Sequence, residues 1–553
     1  MAYTIKAPSF EDMKSAKVLF SIDPADIHEI SDKRVDECIT RSTDLKMLYA
    51  YAPIDAKHIK AFDKVVKEAK VFEKFEALLN GERVNTGENR AVLHHLLRGN
   101  VLGKKIVVDG EDKEQFYSDE RCKVFEFASS VREGKILGST GKKIKNVVQI
   151  GIGGSDLGPK AMSRALYSYA LKNKVDIIEP YFISNVDPEN AIYVMNKIDP
   201  EETLFILVSK SGTTLETLQN YKIVKALSEE KATPGFDFTK HLLAVTSKTS
   251  PLATSSDVLK SFFIDDYIGG RYSVTSAVGL LTLSLSYGEQ IASEFLKGAH
   301  DSDVDAYTQK SVSENRSLLD ACIGMYYLDA LQLPTLAVLP YSEALTYFVS
   351  HLQQLDMESN GKQDDMNGTF LSDDYLMGPI VWGASGTNGQ HSFYQYLHQG
   401  IPFIPLEFIA FKHNSAIDEN SKVASLLADS QFKLNANVAA QEVAFAEGHI
   451  EMIDGDDEHE HDEDCDCCEH EINEHKSFFG MRPSTMLFAD SLTPYTLGLL
   501  LSHFENKVMF QGFIWNINSF DQEGVQLGKR LANSIIDGST KNKNLIAVAD
   551  LLK

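Results

Sequence analysis

Tryptophan is nearly missing from this chain, with 2 among 553 residues, and the same length holds only 16 prolines and 6 cysteines. So few cysteines exclude a disulfide-stapled scaffold. No window approaches the roughly 18 consecutive apolar residues that a membrane-spanning helix needs, so no membrane partner is expected. The first residues, MAYTIKAPSFEDMKSAKVLF, mix charge with apolar side chains and have no secretory apolar core. A cytoplasmic location is the expectation. Positive charge is also short, with 54 Lys and Arg against 79 Asp and Glu and a net charge of −25. Such a surface repels a phosphate backbone, which argues against nucleic acid as a partner.

The acidity is unevenly spread. Residues 454–471, DGDDEHEHDEDCDCCEHE, hold 11 acids and no Lys or Arg, so the rest of the chain is far less acidic. An anionic substrate stays possible wherever a pocket is locally positive. The low-complexity stretch 450–476 reads as an exposed, mobile loop. Its His459, His461, Cys465, Cys467, Cys468 and His470 are dense enough to bind zinc or a softer metal. The C-x-C-C spacing is not that of most structural zinc sites, and a solvated insertion that meets metals opportunistically is the alternative.

What is present is an alternation. Short β-branched and aromatic runs at 146–152, 180–186, 203–209 and 241–247 are separated by helical patterns at 158–173 and 214–230. A second series of strand-like runs follows at 334–341, 378–385 and 401–411. Strands alternating with helices predict parallel α/β sheets, and two such units in tandem suit the length. Ligands of parallel sheets bind at the carboxyl ends of the strands, so the residues just after these runs matter most.

In FILVSKSGTTLET, residues 205–217, an apolar strand ends in Ser209, Lys210, Ser211, Gly212, Thr213 and Thr214, and a helix follows. Free backbone N–H groups and the positive end of the helix dipole at that junction suit a phosphate. The bland alternative is an N-cap cluster without a ligand. VVQIGIGGSDLGP repeats the theme with Gly154 and Ser155, but lacks the dinucleotide spacing G-x-G-x-x-G. Elsewhere, Arg271 follows Gly269 and Gly270, Glu358 sits in QQLDMESNGK beside Gln354, and His391 follows the Gly- and Ser-rich GASGTNGQ. Gln522 and Lys529 stand two helical turns apart. Arginine is a fixed cation for an anion or enolate, while a carboxylate and a histidine are proton-transfer groups.

These blocks in this order (GIGGSDLGP, SKSGTT, GGRYS, DMESNGK, GTNGQHSFYQ and FDQEGVQLGK) resemble the glucose-6-phosphate isomerase, or phosphoglucose isomerase, family. The resemblance implies two sugar-isomerase-type α/β/α sandwich domains with mainly parallel sheets and helical extensions at both ends. The boundaries expected are 1–110, 111–300, 301–520 and 521–553. It implies reversible isomerisation of glucose 6-phosphate to fructose 6-phosphate in glycolysis and gluconeogenesis, through an enediolate and without a cofactor. The phosphate is expected on Ser209, Lys210, Ser211, Gly212, Thr213 and Thr214, and the sugar against Gly154, Ser155, Gln354 and Gln522. Glu358 matches the base, His391 and Lys529 the ring-opening groups, and Arg271 the residue facing the enediolate. A homodimer is implied, with His391 reaching the neighbouring subunit's site. Two other functions stay open: a dual-specificity phosphoglucose/phosphomannose isomerase, and a non-catalytic phosphosugar-binding regulator. Position 526 is Gln where the family commonly carries Glu.

Overall fold

The computed structural model describes residues 1–452, 472–473 and 475–552, so the candidate metal ligands between His459 and His470 lie outside the described residues. In chain order the strands are β1 (Ile39–Thr40), β2 (Lys46–Leu48), β3 (Val107–Val108), β4 (Glu111–Asp112), β5 (Asn146–Ile150), β6 (Glu179–Ile183) and β7 (Thr203–Val208). There follow β8 (Leu242–Thr246), β9 (Lys260–Phe263), β10 (Thr335–Pro340), β11 (Ile380–Trp382), β12 (Leu406–His413) and β13 (Ser484–Ser491).

Two sheets carry the fold, beside the short β3–β4 hairpin. One is ordered β6-β5-β7-β8-β9 and is parallel throughout. The other is ordered β1-β2-β13-β12-β10-β11; its last four strands are parallel, and β1–β2 and β2–β13 are antiparallel. The sheets are thus mainly parallel, as the alternation predicts. Residues 39–48 add an unforeseen edge to the second sheet from far along the chain.

β7 and β8 are buried at every position, which is why each reads as an unbroken apolar run rather than an alternation. The predicted run 401–411 starts late, at Leu406, because Pro402 and Pro405 have no N–H to give a ladder. The run 378–385 shrinks to Ile380–Trp382: at Gly383 (φ +144°) an added Cβ would lie 1.9 Å from the Val338 carbonyl oxygen, so the chain leaves the sheet there. The helices Leu157–Lys172 and Leu215–Lys231 sit where the sequence places them.

The largest hydrophobic core joins both halves, with Met162 and Leu166 of the first packing in one cluster with Leu352, Phe504 and Trp515 of the second. Inside it lies a buried ion cluster, where the Lys507 ammonium stands 3.0 Å from Asp320 and 2.7 Å from Glu407. At the C-terminus, helices Gln526–Ile536 and Lys543–Asp550 bury none of their residues.

Candidate active site

β7 ends at Val208, and the next six residues fold into a tight loop. The Ser209 amide donates to the Val245 carbonyl at 3.1 Å, and the Thr246 hydroxyl donates to the Ser209 carbonyl at 2.7 Å, which fixes the loop to β8. Gly212 turns the chain at φ +70°, and its amide donates to the Ser209 hydroxyl at 3.1 Å. An added Cβ there would lie 2.3 Å from Ser250 Oγ, so the turn requires glycine.

The four hydroxyls pair among themselves: Ser209 with Thr214 at 3.0 Å, and Ser211 with Thr213 at 2.9 Å. Thr214 is the N-cap residue of Leu215–Lys231, yet its side chain does not cap the helix. The hydroxyl cluster is therefore not an N-cap, and the helix N-terminus keeps its attraction for an anion. One turn on, the Thr217 hydroxyl is buried, has no hydrogen-bond partner and lines the same cavity. Sequence reading passed over Thr217, although it ends the quoted stretch and lies three residues beyond Thr214. Lys210 lines that cavity, and its ammonium donates to the carbonyls of Asp266 (2.9 Å) and Ile268 (3.1 Å). Burial lowers its pKa. It ties the 209–214 loop to the segment that leads to Arg271.

That segment is held by a backbone contact. An added Cβ at Gly154 would lie 2.2 Å from the Gly270 carbonyl, so the turns Gly153–Ser155 and Gly270–Tyr272 touch main chain to main chain. Arg271 is consequently delivered into the centre, where it is 2% exposed. Its Nε donates to Ser359 Oγ at 2.7 Å, and its terminal nitrogens donate to the Ser519 and Asp521 carbonyls (2.7 and 2.9 Å) and to Gln522 Oε1 (3.2 Å). The same guanidinium stands 3.6 Å from Glu358 Oε2.

Glu358 and Gln354 lie one turn apart on the helix Phe348–Asn360. Both Glu358 Oε2 and Gln354 Oε1 are buried acceptors with no hydrogen-bond partner. Buried acceptors are rarely left so, and two on one helix face are places for a ligand's hydroxyls or acidic hydrogen. Lys362, at the end of that helix, donates to the carbonyls of Glu358 and Asp521, both at 3.0 Å, and pairs with the Asp521 carboxylate at 3.0 Å. The loop 519–522 is thereby fastened beside Glu358.

Several of these groups border two cavities that share Gln522, while Gly154 and Gln354 line neither. One, of about 660 Å³, is lined by Ser155, Ser209, Ser211, Thr214, Arg271 and Lys529 among others; one of about 960 Å³ is lined by Glu358, Lys362 and Asp521. Lys529 reaches the first from an exposed helix, Gln526–Ile536. Arg90, from NRAVLHHLLR, lines it too, with a loose contact to Glu88 at 3.5 Å, and no spacing rule singled it out. His391 is not brought in. It ends the short turn Asn388–His391, is exposed, and lines neither cavity of its own chain.

Residues 49–550 match the family described as phosphoglucose isomerase. The chain is 48% identical over 510 residues to the glucose-6-phosphate isomerase of Treponema denticola, covering 92% of this chain and 90% of that one. It is 42% identical to that of Borreliella afzelii, covering 97% of each. In three dimensions it is similar to the crystal structure of a glucose-6-phosphate isomerase from Chlamydia trachomatis, with a TM-score of 0.85, 35% identity and 99% of both chains covered.

Proposed function

The chain belongs to the phosphoglucose isomerase family, and we infer that it is an aldose–ketose isomerase interconverting D-glucose 6-phosphate and D-fructose 6-phosphate. The reaction is a step of glycolysis and gluconeogenesis. Proton transfer between the adjacent carbons C1 and C2 needs one base, and Glu358 takes that role in this proposal. The observation that carries it is the buried, unpartnered Glu358 Oε2 at 3.6 Å from the Arg271 guanidinium. A carboxylate free of protein donors can reach for a carbon-bound hydrogen, and the fixed cation beside it offsets the charge of an enediolate.

The substrate phosphate sits on the 209–214 loop, joined by the Thr217 hydroxyl, and this anchor holds the sugar far from its reacting end. Main-chain and hydroxyl groups do the binding, while Lys210 keeps the loop in place. Ser155, Gly154, Gln354 and Gln522 line the sugar. Opening of the hemiacetal ring needs an acid on the ring oxygen and a base on the hydroxyl. Lys529 and His391 take these parts, with His391 supplied by a second copy of the chain.

A homodimer is supported by two features. His391 lies away from its own chain's cavities. The two C-terminal helices have no fully buried residue, and Leu527, Ile536, Val548 and the following Leu551 are exposed, the last at 83%. An apolar set of that kind calls for a cover. We place the protein in the cytoplasm and keep four regions, 1–110, 111–300, 301–520 and 521–553, with the strands at 39–48 leaning on the third. Formation of fructose 6-phosphate, coupled to a dehydrogenase and run with and without EDTA, tests the reading: turnover is expected in both, and no turnover with glucose 6-phosphate refutes it.

A further inference from the structure

Both sheets are wound alike. In the first, β5 lies between β6 and β7, with β8 beyond; in the second, β10 lies between β11 and β12, with β13 beyond. Strand order therefore reverses once in each, between β5 and β7 and between β10 and β12. Open parallel sheets take ligands in the crevice outside the strands' carboxyl ends at such a reversal. The phosphate-loop cavity occupies the first, with Ser155 following β5 and Ser209 following β7. At the second reversal a separate cavity of about 260 Å³ opens, lined by Ser342 after β10 and by His413 and Ser415 at the end of β12.

The helix Leu157–Lys172 sends Arg164 into this second cavity. Arg164 is half-buried, and its guanidinium makes no hydrogen bond or ion pair with any described residue. The Ser342 and Ser415 hydroxyls and the His413 imidazole have no hydrogen-bond partner among the described residues either. Glu343 is the single carboxylate on the wall, and it forms no ion pair with Arg164. A half-buried arginine without an acceptor is uncommon in a chain of net charge −25, where counter-ions are plentiful. Its planar fork matches the paired oxygens of a phosphate or carboxylate.

We propose that the crevice at the β10–β12 reversal is a second anion site, distinct from the catalytic cavity, with Arg164 as its fork and Ser342, Ser415 and His413 as further donors. At about 260 Å³ against about 660 Å³ for the phosphate-loop cavity, it suits an oxyanion smaller than the hexose phosphate. One helix serves both sites, since it begins just after Ser155 and carries Arg164 two and a half turns on.

Equilibrium dialysis with labelled orthophosphate tests this, with the catalytic cavity saturated by an equilibrated mixture of glucose and fructose 6-phosphates. Stoichiometric phosphate is expected to remain bound, and a parallel run with labelled succinate tells a phosphate site from a carboxylate site. Arg164→Ala should weaken the retained binding at least about tenfold. Ser342→Asp, which sets an anion on the wall without removing the arginine, should abolish it. Both variants should keep wild-type turnover, which reports an intact fold. No retained anion of either kind, or binding unchanged in both variants, overturns the proposal. Should the sugar phosphates displace no phosphate at all, the catalytic reading fails while this one stands on the retained fraction.

Discussion

Replacing Arg271 by lysine keeps the charge and removes the fork. Four acceptors lie around the guanidinium, at 2.7 Å (Ser359 Oγ), 2.7 Å (Ser519 O), 2.9 Å (Asp521 O) and 3.2 Å (Gln522 Oε1). They are spread over the whole planar group, and a single ammonium cannot span them. About two would be left without a donor inside a buried site, at about 1–3 kcal/mol each, so a stability loss of about 2–6 kcal/mol is expected. The charge would also leave its place 3.6 Å from Glu358 Oε2. Loss of one preorganised donor at a developing oxyanion costs about 10²–10³-fold in kcat, and that is the fall expected for Arg271→Lys. KM should stay within about threefold, because the proposed phosphate anchor at 209–214 is untouched. Steady-state kinetics well below the melting temperature, beside a thermal melt, separates the two effects. A variant that melts earlier but turns over within about fivefold of wild type would show that Arg271 only braces the 519–522 loop, and the charge-stabilising role would be withdrawn.

Two further outcomes follow from other parts of the molecule. If His391 serves the partner's site, Glu358→Gln and His391→Ala homodimers are each nearly inactive, and mixing them with reversible dissociation restores about a quarter of wild-type turnover. Random mixing makes half of all dimers hybrid, each with one intact site; no recovery, with hybrids demonstrated by native mass spectrometry, contradicts the shared site. Glu442 is buried on the helix Ala424–Glu447, and burial raises its pKa from the ordinary 4.5 to about 8. A carboxyl raised on folding contributes its stability below its unfolded pKa and loses it as pH climbs through the folded value. Glu442 should therefore pull the melting temperature down between pH about 4.5 and about 8, and the wild type should lose melting temperature relative to Glu442→Gln across that range. An identical slope in the variant means that the carboxylate is not the group responsible.

The sequence was most informative where local chemistry decides. β7 and the hydroxyl loop after it are written in consecutive residues, so strand, turn and helix start could all be read from Thr203 to Thr217. β9, four residues at a sheet edge, was too short to stand out. β13 was hidden because Ser484, Thr485, Asp490 and Ser491 flank its apolar letters and leave only Met486–Ala489 between them, although its neighbours bury half of it. β2 owes its place to pairing with β13 more than 430 residues away, and β1 pairs with β2 in turn, so no window of sequence holds that information. In the site, the residues could be named but not assembled. Arg271 is carried by a turn that Gly154 lets approach its own turn main chain to main chain, and its contact with Glu358 then spans the two halves of the chain. Lys210 looked like a phosphate ligand by position, and its bonds to the Asp266 and Ile268 carbonyls became visible only in three dimensions.

Hydrogen exchange at the sugar carbons measures the central claim, that the Glu358 carboxylate carries the proton between C2 and C1. Glucose 6-phosphate is incubated in deuterium oxide, and proton NMR follows the C2 position of the recovered sugar and C1 of fructose 6-phosphate. Wild-type protein is expected to introduce deuterium at both, and Glu358→Gln at neither, while the variant still binds fructose 6-phosphate in a direct titration. Wild-type rates of deuterium entry in Glu358→Gln would contradict the account.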